Sequence, residues 1–62
     1  MTGRVKSFNP STRYGFITSG DVDYRFHIND WDFRLPPLEG VTVKFEPVET
    51  EKGMRAEQIK HI

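Results

Sequence analysis

The 62-residue sequence contains no cysteine, which excludes both a disulfide framework and a thiolate metal site. With only His27 and His61 as imidazole ligands, we expect no metal and no redox cofactor. Long apolar runs are also lacking, and Met1 leads directly into polar residues, so we expect neither a signal peptide nor a membrane span. These absences favour a small soluble domain in the cytoplasm.

An excess of charge of either sign is lacking as well. Nine basic and nine acidic side chains cancel, which argues against a strong, purely electrostatic grip on a phosphate backbone. The charges are unevenly spread, because the first twenty residues carry only basic groups, at Arg4, Lys6 and Arg13. Acids follow at Asp21, Asp23, Asp30 and Asp32. A basic edge beside an acidic loop region and a set of scattered solvating charges both fit this pattern.

Alternation of apolar and polar residues predicts five short strands, at residues 3–8, 14–18, 23–28, 41–46 and 54–59. The fifth pattern is the weakest, because Ala56 and Ile59 are not separated by an even number of residues. A single helical or 3₁₀ turn is expected near residues 29–31, capped by Asn29 or Asp30. Two prolines at 36 and 37 exclude a longer helix there.

Five strands without an amphipathic helix or a repeat predict one all-β domain over residues 1–62. In so short a chain, a closed or partly open barrel best removes exposed strand edges. A five-stranded antiparallel OB-fold barrel fits the pattern best. An SH3-like barrel has the same number of strands and stays open on patterning alone.

Two neighbouring predicted strands carry aromatic rings on both of their faces. Tyr14 and Phe16 project from one side of their strand, and Arg25 and His27 project from one side of the next. The opposite face of that second strand carries Tyr24, Phe26 and Ile28. Only one face can be the core, and the other would present rings and cations on which unpaired bases can stack. A core position for Tyr14 and Phe16, and a purely structural role for His27, are the alternatives.

Several segments resemble, in order, the motifs of the cold-shock domain family. Residues 3–9 (GRVKSFN) resemble its opening G-x-V-K-W-F-N, and residues 12–17 (TRYGFI) resemble its first ribonucleoprotein motif, K-G-F-G-F-I. Residues 24–27 (YRFH) stand where the second motif, V-F-V-H, would be. Residues 38–46 resemble the segment L-x-x-G-x-x-V-x-F-x, and residues 52–56 (KGMRA) the closing K/R-G-P-x-A.

This resemblance implies a five-stranded OB barrel that binds single-stranded DNA and RNA with little sequence preference, as a nucleic-acid chaperone or a regulator of gene expression. Position by position, it implies a phosphate contact at Lys6 and a contact near the strand's path at Lys52. It implies stacking surfaces at Phe8, Tyr14, Phe16 and His27, with Phe33 as a further ring in the loop before the fourth strand.

The sequence departs from the family pattern at positions that would contact bases. Ser7 replaces the tryptophan of the opening motif, Arg25 replaces a phenylalanine, and Ile28 stands where another aromatic is common. Each lost stacking ring removes about 1–3 kcal/mol of binding free energy. Arg25 compensates in part, since a guanidinium can stack on a base and contact phosphate, and Arg13, in place of a glycine, adds another cation beside Tyr14.

Other functions find less support in the sequence. No convincing set of nucleophile, base or paired carboxylates is present, and Asp21 and Asp23 are interpreted as solvated loop acids, so we expect no enzyme and no small-molecule substrate. A protein-interaction or self-association module on the same barrel is the alternative function. The segment between Trp31 and Gly40 is short compared with the family pattern, so a strand-swapped homodimer is an alternative to a monomer. Trp31 itself is expected to cover the core.

Overall fold

Five strands make up most of the chain described by the computed structural model, which covers residues 1–31 and 37–62. Their bounds are β1 Thr2–Asn9, β2 Tyr14–Ser19, β3 Val22–His27, β4 Thr42–Thr50 and β5 Gly53–His61, with a 3₁₀ turn at Ile28–Asp30. All five predicted strands are confirmed. β4 runs past Pro47 to Thr50, and Ile28 belongs to the 3₁₀ turn, not to the third strand as predicted.

The strands form a closed barrel in the order β1-β2-β3-β5-β4, in which β4 pairs back with β1. The predicted purely antiparallel arrangement is wrong at one pair, because β3 and β5 run parallel and are joined in register at Arg25 and Arg55. The reason is geometric: strand directions cannot alternate all the way around a ring with an odd number of strands. Mixed strand direction is therefore how this barrel closes.

The barrel interior is apolar. Its buried core consists of Val5, Ile17, Tyr24, Phe26, Trp31, Val43, Phe45, Ala56 and Ile59. Trp31 bridges to Ile59, and its ring stacks on Phe26 with 5.6 Å between ring centroids, so its predicted place over the core is confirmed. In the described residues, no helix has the length and apolarity needed to cross a membrane.

The weak apolar pattern of β5 has a local cause. Gln58 takes a positive φ of 50°, and the β4–β5 register shifts between Lys44 and Glu46. Such an irregularity lets Ala56 and Ile59 both point into the core although an odd number of positions separates them. Strict alternation fails here and also in β1, where a register shift between Val5 and Ser7 lets Val5 and Phe8 both pack against the core.

The turn between β1 and β2 places the first outward ring. The Asn9 side chain accepts a hydrogen bond from the Ser11 amide at 2.9 Å, and the Arg13 amide donates to the Asn9 carbonyl at 2.8 Å. Arg13 itself takes a φ of 64°, in the left-handed region that non-glycine residues rarely adopt. Tyr14 begins β2 directly after this turn.

Replacing Arg13 with glycine should therefore stabilise the domain. A non-glycine residue in the left-handed region costs about 1 kcal/mol or slightly more, and glycine removes most of that cost. We expect the urea midpoint of unfolding to rise for Arg13→Gly. A lowered midpoint would show that the arginine side chain stabilises the turn by more than its backbone conformation costs.

Candidate nucleic-acid interface

The rings of Tyr14 and Phe16 face solvent, as the alternation of β2 predicted. Tyr14 is 44% exposed and Phe16 is 41% exposed, while Gly15 and Ile17 between and beside them are buried. Across the β2–β3 pair, Tyr14 lies opposite His27 and Phe16 lies opposite Arg25. We call this surface, made of Tyr14, Phe16, Arg25 and His27, the aromatic face.

The buried Gly15, between the two rings, lets β2 lie close to the neighbouring strand β1 and to the core. A Cβ atom at Gly15 would lie 2.6 Å from the Ser7 carbonyl oxygen and 2.7 Å from the Phe26 ring. Real side chains do not approach so closely, so only glycine lets β2 pack against β1 and the core at this point. The adjacent rings are thereby fixed on a strand that has little room to shift.

The groups of the aromatic face contact one another. The Tyr14 and His27 rings meet edge to face with centroids 4.8 Å apart, and the Arg25 guanidinium carbon lies 5.4 Å from the Tyr14 ring centroid. Cations over aromatic faces at this distance attract the ring electrostatically. The structure thus brings together four of the nine predicted site residues on one surface.

His27 has both a structural and a surface role in this arrangement. Its Nδ1 atom accepts a hydrogen bond from the Asn29 amide at 3.1 Å, which makes His27 the N-cap of the 3₁₀ turn. The prediction that Asn29 or Asp30 caps this turn is therefore wrong, because the imidazole at the end of the preceding strand accepts the hydrogen bond from the free amide. The half-buried ring still contacts Tyr14 on the aromatic face.

Phe8 differs from the other predicted stacking residues. It is half-buried, packs against the core, and stacks on Phe26 with centroids 6.0 Å apart and an angle of 16° between the ring planes. Phe26 thus lies against one face of the Phe8 ring. Phe33 lies outside the described residues, as does most of the short segment between Trp31 and Gly40.

Lys6, predicted to contact phosphate, forms an ion pair on the exposed outer surface of the barrel. Its Nζ lies 2.8 Å from Oδ2 of Asp23. Asp23 belongs to β3, so its predicted place in a loop is wrong, although it is exposed to solvent as predicted. Its side chain meets that of Lys6 across β2, the strand between β1 and β3.

The hydrogen bond from Lys6, helped by the charge of its ammonium group, lowers the pKa of Asp23 below its ordinary value. A carboxylate whose folded-state pKa is lowered stabilises the fold above its unfolded-state pKa, and the contribution is lost as pH falls through the folded-state pKa. The pair therefore stabilises the fold at neutral pH and loses this contribution only at acidic pH. At neutral pH it also ties up a cation.

Removing the Asp23 charge should free Lys6 for phosphate. For Asp23→Asn we expect a severalfold gain in affinity for a single-stranded oligonucleotide, and a salt dependence of log K that is steeper by about 0.7, the value for one additional phosphate contact. Asp21→Asn is the matched control, because it removes the same charge from the turn beside β3 without touching Lys6. Equal effects of the two variants would show that only overall charge matters.

Sequence reasoning missed Arg55 as a member of this surface. Arg55 lies beside Arg25 across the parallel β3–β5 pair, and its guanidinium contacts Asp30 at 3.2 Å and Glu57 at 3.7 Å. The hydrogen bond to Asp30 and the charges of both carboxylates raise the pKa of Arg55. Arg55 lies inside the closing motif, at its variable position, and this membership was the one sequence signal for the residue. Only the parallel β3–β5 pair places it next to Arg25.

A groove runs between β3 and the turn that joins β4 to β5. It consists of two adjoining concavities of about 260 and 410 Å³, which share Arg25, Thr50, Lys52 and Arg55. Phe16 and Met54 line the first concavity, and Tyr14 lines the second. We call this the β3–β5 groove. Lys52, predicted to lie near the strand's path, is thus next to the aromatic face.

The remaining chemistry of the surface is simple. Arg13 is exposed in the turn next to Tyr14, and within residues 1–31 and 37–62 Arg25 makes no ion pair. Over the same ranges, no group of three or more metal-ligating side chains comes together. The surface offers stacking rings and guanidinium donors, which suits recognition of a flat, hydrogen-bonding ligand.

Comparison with protein families agrees with this geometry. The model of the 'Cold-shock' DNA-binding domain matches the chain over residues 1–62, its whole length. No curated protein gave a significant match.

Proposed function

The chain belongs to the cold-shock domain family of nucleic-acid-binding domains, and we propose that its aromatic face binds single-stranded DNA or RNA mainly through base stacking. Tyr14 and Phe16 are the stacking surfaces in this proposal, with His27 beside them. Arg13 and Lys52 supply positive charge to the phosphates, and Arg25 lies between the two rings.

The observation that carries the proposal is the exposure of two neighbouring rings on one strand. A small core normally buries its aromatic side chains, and about two-fifths of each of these rings is instead left in water. The faces of bases in a duplex are covered by their neighbours, whereas unpaired bases can stack on protein rings. The surface therefore favours single strands over duplexes.

A protein that prefers single strands would destabilise base-paired structure in RNA. A ligand that binds only the unpaired state shifts the equilibrium toward that state in proportion to its affinity. Weak binding with little sequence preference would loosen many structures without trapping any of them. We therefore propose a role as an RNA chaperone or as a regulator of gene expression that acts through RNA structure.

We further propose that the protein acts as a monomer. The β1–β4 and β3–β5 pairs close the barrel with strands of the same chain, which leaves the aromatic face open to ligand. A single monomer mass at high concentration, measured by size exclusion with light scattering, is the expected result. A dimer mass would favour the strand-swapped homodimer.

Fluorescence anisotropy tests the binding proposal directly. Labelled single-stranded DNA, single-stranded RNA and duplex DNA of equal length are titrated with the protein at low and moderate salt. We expect both single strands to bind and the duplex to bind much more weakly. Tight binding to the duplex alone would reject stacking. No binding to any of them, together with self-association in light scattering, would favour the alternative of a protein-interaction module.

A further inference from the structure

We propose that Arg25 makes the aromatic face select guanine at one position of the bound strand. The inference rests on the proposed single-strand binding and adds a base preference to it. It comes from the place of one guanidinium group between two exposed rings.

The position of Arg25 is central in the surface. It lies directly opposite Phe16 across the β2–β3 pair, and its guanidinium carbon is 5.4 Å from the Tyr14 ring centroid. It also lines both concavities of the β3–β5 groove, one of which includes Phe16 and the other Tyr14. A base that stacks on either ring therefore lies with its edge near the Arg25 side chain.

The donors of Arg25 are available to a ligand, unlike those of two neighbouring cations. Lys6 is held by Asp23, and Arg55 is held by Asp30 and Glu57. Arg25 makes no ion pair with any residue in the described part of the chain; its contact there is with the Tyr14 ring. The guanidinium thus keeps its hydrogen-bonding fork while the ring restrains it.

The chemistry of a guanidinium fork favours guanine. Arginine offers five N–H donors and no acceptor, so it matches a base edge that carries two adjacent acceptors. On its Hoogsteen edge guanine presents O6 and N7 in that arrangement, whereas adenine places an amino donor beside N7 and cytosine carries only an amino donor. Thymine and uracil carry only one acceptor on the equivalent edge.

The groove as a whole is cationic. Lys52 and Arg55 line both of its concavities together with Arg25, with one carboxylate in each. Lys52 is therefore placed to neutralise a phosphate of the bound strand. The guanidinium of Arg25 lies against the Tyr14 ring, which places it beside the edge of a base that stacks there.

The test is a guanine scan. Oligothymidylates of about eight nucleotides, within the range of site sizes known for OB folds, carry a single guanine, adenine or cytosine at each position in turn. Affinities are measured by anisotropy for the wild type and for the Arg25→Lys, Arg25→Gln and Arg4→Lys variants, with urea unfolding as a check of each fold. Arg4 is an exposed arginine of β1 that lies outside the aromatic face and the β3–β5 groove. Lysine keeps the charge of Arg25 but lacks the planar fork.

We expect guanine at one position to bind roughly fivefold or more tightly than thymine, which is the lower end of discrimination by a bidentate pair. Arg25→Lys and Arg25→Gln should both lose this preference, and Arg4→Lys should keep it. A preference that survives Arg25→Lys, a preference for cytosine, or binding without preference would overturn the inference alone. Absence of binding to every oligonucleotide would overturn the proposed function as well.

Discussion

Gly15→Ala is expected to destabilise the domain by about 2–3 kcal/mol, because the added methyl group has no free space. Its Cβ would lie 2.6 Å from the Ser7 carbonyl oxygen and 2.7 Å from the Phe26 ring. Neither neighbour can move easily, since one is the backbone of a paired strand and the other is a fully buried core ring. A domain of this length has a total stability of only about 3–9 kcal/mol, so the loss is a large part of it.

Urea unfolding followed by tryptophan fluorescence measures this effect, with Gly20→Ala as the matched control. Nothing lies within 4 Å of a Cβ built at Gly20, so its substitution costs only the strain of a positive φ, about 1 kcal/mol. The midpoint should fall much further for Gly15→Ala than for Gly20→Ala. Similar midpoints for the two variants would contradict the tight packing of β2 against β1.

The double substitution of Tyr14 and Phe16 by alanine is expected to lower single-strand affinity by roughly 30-fold or more, since each stacked base contributes about 1–3 kcal/mol. The loss of stability should be smaller than for a fully buried core ring, because about two-fifths of each residue is already exposed to water. Anisotropy with the same labelled oligonucleotide measures the loss, and circular dichroism checks the fold.

Val22→Ala is the control for this experiment. Val22 is 41% exposed, like Phe16, but it lies at the far end of β3, opposite Ser19. Its truncation removes exposed apolar surface outside the aromatic face and should leave affinity unchanged. If the double variant binds as tightly as Val22→Ala, stacking on Tyr14 and Phe16 does not hold the ligand.

The strands and the outward rings could be predicted from the sequence because both follow from a local rule. Side chains alternate along a strand, so the segment Tyr14-Gly15-Phe16-Ile17 already separates exposed rings from buried positions. The resemblance to the cold-shock motifs then predicts the barrel in which these strands are arranged. Local alternation failed at Gln58, where a positive φ changes the side to which the following residues point, and at the register shift between Val5 and Ser7 in β1.

The partners of the charged groups could not be predicted, because they depend on how the barrel closes. Lys6 meets Asp23 across the intervening strand, and Arg55 reaches Arg25 only through the parallel pair that closes the ring. His27 caps the 3₁₀ turn because its imidazole Nδ1 accepts a hydrogen bond from the Asn29 amide. The contacts of Lys6 and Arg55 have no sequence spacing that would reveal them, and they decide which cations remain available to a ligand. The His27 cap follows a local spacing of two residues.

The most direct test of base stacking is an NMR titration of the protein, labelled at its aromatic side chains, with a short oligothymidylate. Stacking predicts that the ring protons of Tyr14 and Phe16 shift upfield and show nuclear Overhauser contacts to thymine protons. Shifts confined to the surface around Lys44 and Lys60, with both of these rings unchanged, would contradict it.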